Sequence, residues 1–138
     1  MVTPPSLADA PVPAPGDTEV MIWMDAQGGV VPAGQVEAYP TIDGNVYSMY
    51  CSLSSSGGGV TITFYPGDSL TPTGITASNI NVQDFVSYLE SLNNPACNNS
   101  NAGNSPLGPT WYLRQIPVGF EIWNGGGLEA DSFATGVT

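Results

Sequence analysis

The sequence predicts an all-β fold, an antiparallel β-sandwich of the jelly-roll type with one amphipathic helix packed on a sheet. Short runs of β-branched and aromatic residues, Gly- and Pro-rich turns between them, and one segment with a different apolar period predict it. Residues 1–17 hold Pro4, Pro5, Pro11, Pro13 and Pro15 without apolar periodicity, and read as a tail or linker. Residues 18–24 form the first strong strand, broken at Gln27-Gly28-Gly29. Residues 35–40 and 45–53 read as paired strands, with Asp43-Gly44-Asn45 as the turn. After a flexible turn over Ser54 to Gly59, Val60 to Tyr65 is a run of β-formers that Pro66-Gly67-Asp68 stops. Residues 74–80 add a short strand.

The period then changes. Val82, Phe85, Val86, Leu89 and Leu92 recur at helical spacing, with Asn81 placed to cap the helix and Asp84 in its first turn. A single helix over residues 81–92 follows, then a loop over 93–109 rich in Asn, Pro and Gly. Trp111 to Val118 resumes strand character and leads into Gly119-Phe120-Glu121-Ile122-Trp123. Gly125 to Gly127 turns the chain, and Ser132 to Val137 is a last short strand.

Two glutamates share one setting. Glu19 opens Glu19-Val20-Met21-Ile22-Trp23, and Glu121 opens Glu121-Ile122-Trp123. Side chains alternate faces along a strand, so Glu19, Met21 and Trp23 face one way and Val20 and Ile22 the other. Glu121 and Trp123 likewise share a face. A carboxylate beside an indole, backed by an apolar face, suits a sugar-cleaving cleft. The indole is a flat platform for a pyranose ring, and the carboxylate can move protons or attack carbon.

Composition narrows the chemistry. The net charge is −11, Arg114 is the only basic side chain, and charged residues make up 9% of the chain, against roughly 25% in soluble proteins generally. Such a chain repels phosphate backbones and has no polybasic patch for anionic lipid, so neither nucleic acid nor membrane is an expected partner. A neutral polysaccharide fits better. With no His and no Lys, serine- and cysteine-based triads and Walker-type phosphate binding each lack a required residue. No cofactor or metal site is expected: two cysteines without His cannot make a zinc site, and no Asp-rich calcium loop appears. Acid–base chemistry must rest on the 12 carboxylates.

Cys51 and Cys97 are an even pair, and Asn98-Asn99-Ser100 is a glycosylation acceptor pattern. Both lean towards an extracellular, secreted protein, although no signal peptide is present; the cysteines read equally well as a disulfide or as two buried thiols.

The segment Thr18-Glu19-Val20-Met21-Ile22-Trp23, with Gly28-Gly29 and Pro32-Ala33-Gly34 after it, resembles glycoside hydrolase family 12, endo-β-1,4-glucanases and xyloglucanases of jelly-roll fold. So do Trp111-Tyr112-Leu113, Gly119-Phe120-Glu121-Ile122-Trp123, Gly126-Gly127-Leu128 and Ser132-Phe133. The resemblance implies that Glu19 is the nucleophile and Glu121 the general acid/base of a retaining endo-hydrolysis of β-1,4-glucosidic bonds, with a β-1,4-glucan as substrate. It implies substrate contacts for Met21 and Trp23, and Trp123 shares the face of Glu121. Residues 18–138 would be the C-terminal part of that jelly roll, a partial sandwich lacking the family's N-terminal half. A sandwich missing strands exposes apolar faces and unpaired edges, so self-association through those edges is expected.

Other readings stand beside these. Strand tryptophans ordinarily pack into cores, and so could Trp23 and Trp123. Trp111 and Tyr112 read as core or rim, and Asp25, Glu37, Asp43 and Glu129 as solvated charge. The function alternatives are a truncated, non-catalytic paralogue acting as a decoy, and a carbohydrate-binding sandwich without hydrolysis.

Overall fold

The computed structural model describes residues 1–3, 15–26, 29–54, 57–68 and 80–117. Along the chain it has β1 (Val2–Thr3), β2 (Thr18–Ile22), β3 (Gln35–Ala38), β4 (Thr41–Ile42), β5 (Asn45–Leu53), β6 (Val60–Pro66), helix α1 (Val82–Ser91), a 3-10 turn (Pro95–Cys97) and β7 (Tyr112–Leu113). The strands form a sheet in the order β3-β5-β6-β2-β1-β7, with β4 paired to β5 off that path. The all-β character with one helix is as the sequence predicts.

One pairing departs from a uniformly antiparallel arrangement. β2 and β6 are parallel, in register from Thr18 against Val60 to Ile22 against Phe64. The reason is the path between them. The connection after β2 crosses the positions of β6 and β5 to reach β3; β5 then reverses against β3 and β6 reverses again against β5. Two reversals bring β6 back parallel to β2.

The hairpin signal holds. Asp43 and Gly44 both have positive φ, 51° and 78°, joining Ile42 to Asn45 in the two-residue turn that suits strand twist. Between Val36 and Ala38 the β3–β5 ladder shifts register, making Glu37 the extra residue of a bulge. Glu37 is consequently half-buried rather than simply solvated, and accepts a hydrogen bond from Asn94 Nδ2 at 3.3 Å. At the start of β3, Gly34 lies so close to the Cys51 carbonyl that a Cβ would collide with it, and its φ is 90°.

The core forms where the apolar face of β5 and β6 meets α1. Tyr47, Met49 and Cys51 alternate along β5, and Val60, Ile62 and Phe64 along β6, all buried against Phe85, Leu89, Cys97 and Leu107. The rings of Phe64, Phe85 and Tyr47 meet edge-to-face, at 4.9 Å for Phe64–Phe85 and 5.3 Å for Tyr47–Phe85. That arrangement sets ring edges against the negative ring faces. Helix α1 starts as its sequence dictates: Asn81 Oδ1 accepts from Gln83 N at 3.2 Å.

Cys51 and Cys97 are joined in a disulfide. It ties β5 to the loop after α1, and that loop is packed rather than loose: Asn99 and Leu107 are fully buried. The tail also differs from expectation. Val2–Thr3 is a strand, pairing with both β2 and β7, and Val2 is buried. An apolar Val beside a free sheet edge gains ladder bonds and burial that the proline count does not predict. The expected strand over 111–118 is shorter, because Trp111 N is engaged in a turn to Gly108 O and the ladder ends at Leu113. The expected strands over residues 74–80 and 132–137 and around Glu121 lie outside the described residues, residue 80 excepted.

Two expectations follow. The disulfide closes a long loop, separation 46, so replacing both cysteines with Ala should lower unfolding free energy by about 2–4 kcal/mol, read from denaturant midpoints. The second concerns the β4–β5 turn, where Asp43 meets Asp84. A shared carboxyl hydrogen bond, then desolvation and the Asp84 charge, raise the Asp43 pKa above 3.8, opposed by a backbone hydrogen bond at Asn81. A carboxyl raised in the folded state binds protons there more tightly than when unfolded. Its stabilising contribution is therefore full below about 3.8 and fades as pH rises through the raised value. Asp43→Asn should flatten that part of the Tm–pH curve and give a higher Tm than wild type at neutral pH.

Candidate active site

The face of β2 opposite the core carries Glu19, Met21 and Trp23, while Val20 and Ile22 pack against the core. Glu19 is exposed; Met21 and Trp23 are half-buried. Because β2 and β6 run in parallel register, Thr61 stands beside Glu19 and Thr63 beside Met21. The antiparallel partner β5 adds Ser52 beside Thr61, Tyr50 beside Thr63 and Ser48 beside Tyr65. The face opposite the core is thus laid out in rows across three strands: Glu19, Thr61, Ser52; then Met21, Thr63, Tyr50; then Trp23, Tyr65, Ser48; Thr63, Tyr65 and Ser48 within it are buried. Trp23 extends the ladder by one bond, its N–H donating to Phe64 O at 3.0 Å.

Side-chain bonds run along these rows. Thr61 Oγ1 donates to Glu19 Oε2 at 3.3 Å, and Thr63 Oγ1 donates to Met21 Sδ at 3.6 Å. The third row and its neighbours are aromatic. Trp23 and Tyr65 are 5.8 Å apart between ring centroids, and Tyr65 and Tyr50 are 6.1 Å apart. Tyr39 lies near enough to Tyr50 to act on its ionisation: burial first, then Tyr65 and Tyr39, push the Tyr50 phenol above its ordinary 10.0. Tyr50 therefore keeps its proton at neutral pH and presents a hydroxyl donor. Tyr65 is 8% exposed and Tyr39 55%, so Tyr39 reaches solvent while Tyr65 forms the floor beneath Trp23 and Tyr50.

The start of β2 is fixed from below. Thr18 is fully buried, its hydroxyl donating to Pro106 O at 2.7 Å and accepting from Asn99 Nδ2 at 2.9 Å. Asn99 also donates to Gly16 O at 2.9 Å and accepts from Asn101 N at 2.9 Å. A buried amide with donors and acceptors all engaged holds this strand end in one place. Asp17, one residue further back and also buried, lies 4.0 Å from the guanidinium of Arg114, the single basic side chain of the chain. Asp17 immediately precedes β2 and Arg114 follows β7, so this pair ties the start of β2 to the chain after β7.

The structure brings Glu19, Met21 and Trp23 together as their alternation predicts. Glu121 and Trp123 lie outside the described residues. The aromatic and hydroxyl neighbours Tyr50, Tyr65, Thr61 and Thr63 are additions. Their signal is in the sequence: Ser48, Tyr50, Ser52 and Thr61, Thr63, Tyr65 occupy every second position, polar or aromatic against an apolar set. Among the described residues no group of three or more His, Cys, Asp or Glu side chains could hold a metal ion. A groove of about 230 Å³ lined by Val82, Val86, Glu90, Leu107, Trp111 and Leu113 lies on the helix side, away from Glu19.

On the face opposite the core, the Glu19 carboxylate thus stands beside a threonine hydroxyl, a thioether and a cluster of aromatic rings. The chain belongs to glycosyl hydrolase family 12, whose profile matches residues 8–138. It is similar to a protein described as probable cellulase Cel12b of Mycobacterium tuberculosis, 28% identical over 120 residues, covering 86% of this chain and 67% of that protein. No solved structure matches the chain significantly.

Proposed function

We propose that this chain is an endo-acting glycoside hydrolase of cellulase type that cleaves β-1,4-glucosidic bonds with retention of configuration, using Glu19 as nucleophile and Glu121 as general acid/base. The observation that carries this reading is the exposed Glu19 carboxylate on the same strand face as Met21 and Trp23, with one oxygen held by a neighbouring strand. In the first step Glu19 attacks the anomeric carbon as its bond to the leaving oxygen breaks and Glu121 protonates that oxygen. Water, deprotonated by Glu121, then releases the sugar from the ester and regenerates both carboxyls. Such chemistry needs the two carboxyl groups roughly 5–5.5 Å apart, and environments that keep one ionised while the other carries a proton.

Met21, Trp23 and Trp123 are proposed to contact the glucan, with the aromatic face of Trp23 under a pyranose ring. Tyr50 and Tyr39 extend this surface on one side of Glu19. The uncharged character of these side chains suits a neutral polysaccharide. The Cys51–Cys97 disulfide supports residence in an oxidising, extracellular compartment. Exposed Tyr112, Leu113 and Ile116 at and after β7 support self-association through that edge.

A second reading has its own observation. The aromatic strip from Trp23 through Tyr65 to Tyr50 does not need a carboxylate, and would serve a non-catalytic carbohydrate-binding protein or decoy equally well. Release of reducing ends from soluble β-1,4-glucan separates the two. Under the hydrolase reading, Glu121→Gln lowers kcat by roughly 10²–10⁴-fold and Glu19→Gln abolishes turnover, while both variants still bind the polysaccharide. A folded wild-type chain that binds glucan without releasing reducing ends sinks the hydrolase reading in favour of the second.

A further inference from the structure

We propose that Thr61 is a positioning residue for Glu19, holding one carboxylate oxygen so that the other is presented to the substrate. The proposal rests on the hydrolase reading for its catalytic consequence, and on geometry for its physical content.

The geometry begins with the backbone. Glu19 and Thr61 are Cα partners in a parallel ladder that runs unbroken over five residue pairs, so their side chains are set side by side by the strands themselves. Thr61 is β-branched, which restricts χ1 in a strand and limits where its hydroxyl can point. The hydroxyl points across the strand boundary to Glu19 Oε2, at 3.3 Å. The next β6 residue on that face behaves the same way, Thr63 giving its hydroxyl to Met21 Sδ. Both threonine hydroxyls of β6 therefore serve side chains of β2 rather than backbone groups. Among the described residues, Thr61 supplies the side-chain hydrogen bond to Glu19.

A glutamate exposed on a strand has three rotatable bonds, and an unrestrained carboxylate spreads over many orientations. The hydrogen bond to Oε2, at 3.3 Å on the long side for a hydroxyl donor, favours the orientations that keep it. Oε1 is left for the covalent step. The bond from Oε1 to the anomeric carbon forms, the bond from that carbon to the leaving oxygen breaks, and the leaving oxygen takes its proton from Glu121. Oε2 becomes the ester carbonyl oxygen and still accepts from Thr61, so the contact persists through the step and keeps the ester in place for attack by water.

The test compares Thr61→Val, which keeps shape and removes the hydroxyl, with Thr61→Ser, which keeps the hydroxyl. In carbon-13-labelled protein near neutral pH, the Glu19 carboxyl resonance should move in Thr61→Val and return towards its wild-type position in Thr61→Ser. The Glu37 carboxyl, held by Asn94, should stay unmoved in both. In activity assays kcat/KM should fall roughly tenfold in Thr61→Val, the lower range for a hydrogen bond to a charged group, through kcat rather than KM, and recover in Thr61→Ser. Should Thr61→Val fail to fold, Thr61→Ala makes the same deletion without the branched side chain. A folded hydroxyl-less variant whose Glu19 resonance is unmoved overturns the proposal. A wild-type chain without turnover overturns the hydrolase reading instead, and the resonance still decides whether Thr61 holds Glu19.

Discussion

The parallel register of β2 against β6 is the constraint on which the rest of the structure depends. Side chains alternate with a period of two, so a slip of one residue would turn Glu19, Met21 and Trp23 towards the helix and Val20 and Ile22 towards solvent. The register is held from the core side by Val60, Ile62 and Phe64, which are almost fully buried, and by Phe64 locking into Phe85 and Tyr47. Displacing that ladder would expose several large apolar side chains at once. At the strand's beginning, the buried Thr18–Asn99–Pro106 network adds a second anchor. The exposed Glu19 carboxylate is therefore carried on one of the more firmly specified strands of the molecule, as the nucleophile role we propose for it would require.

Charge is distributed to the same end. The chain carries a net charge of −11; its single basic side chain, Arg114, lies against Asp17, and the N-terminal ammonium is close enough to Glu19 and Asp17 to feel their charge. Apart from that ammonium, the side chains beside Glu19 and in the neighbouring rows are hydroxyls, a thioether and aromatic rings. Such a surface suits the neutral polysaccharide we propose as substrate better than a polyanion. Family membership and surface chemistry thus point the same way, although they rest on independent observations.

Much of this was legible in the residues. Alternation at 19–23 fixes which side chains share a face, Asn81 with its apolar spacing places the helix to within a residue, and Asp43-Gly44 gives the hairpin. What was not legible depended on non-local pairing. Nothing in Thr61 or Tyr50 taken alone says which strand lies beside them, since the parallel β2–β6 neighbourhood arises from a crossover whose path is not written in either strand. Glu37 looked solvated because a bulge cannot be read from a run of β-formers. Proline counting hid β1, where two residues suffice because a sheet edge on each side accepts them. The disulfide was an open choice between two states until Cys51 and Cys97 were placed on facing elements.

We propose that Glu19 attacks the sugar. It is tested most directly with a fluorinated β-1,4-glucoside carrying a good leaving group, which forms a glycosyl-enzyme faster than water can release it. Peptide mapping by mass spectrometry should then find the sugar on the β2 peptide, esterified to Glu19. An adduct on another carboxylate, or turnover of ordinary substrate with no trapped adduct at all, would contradict it.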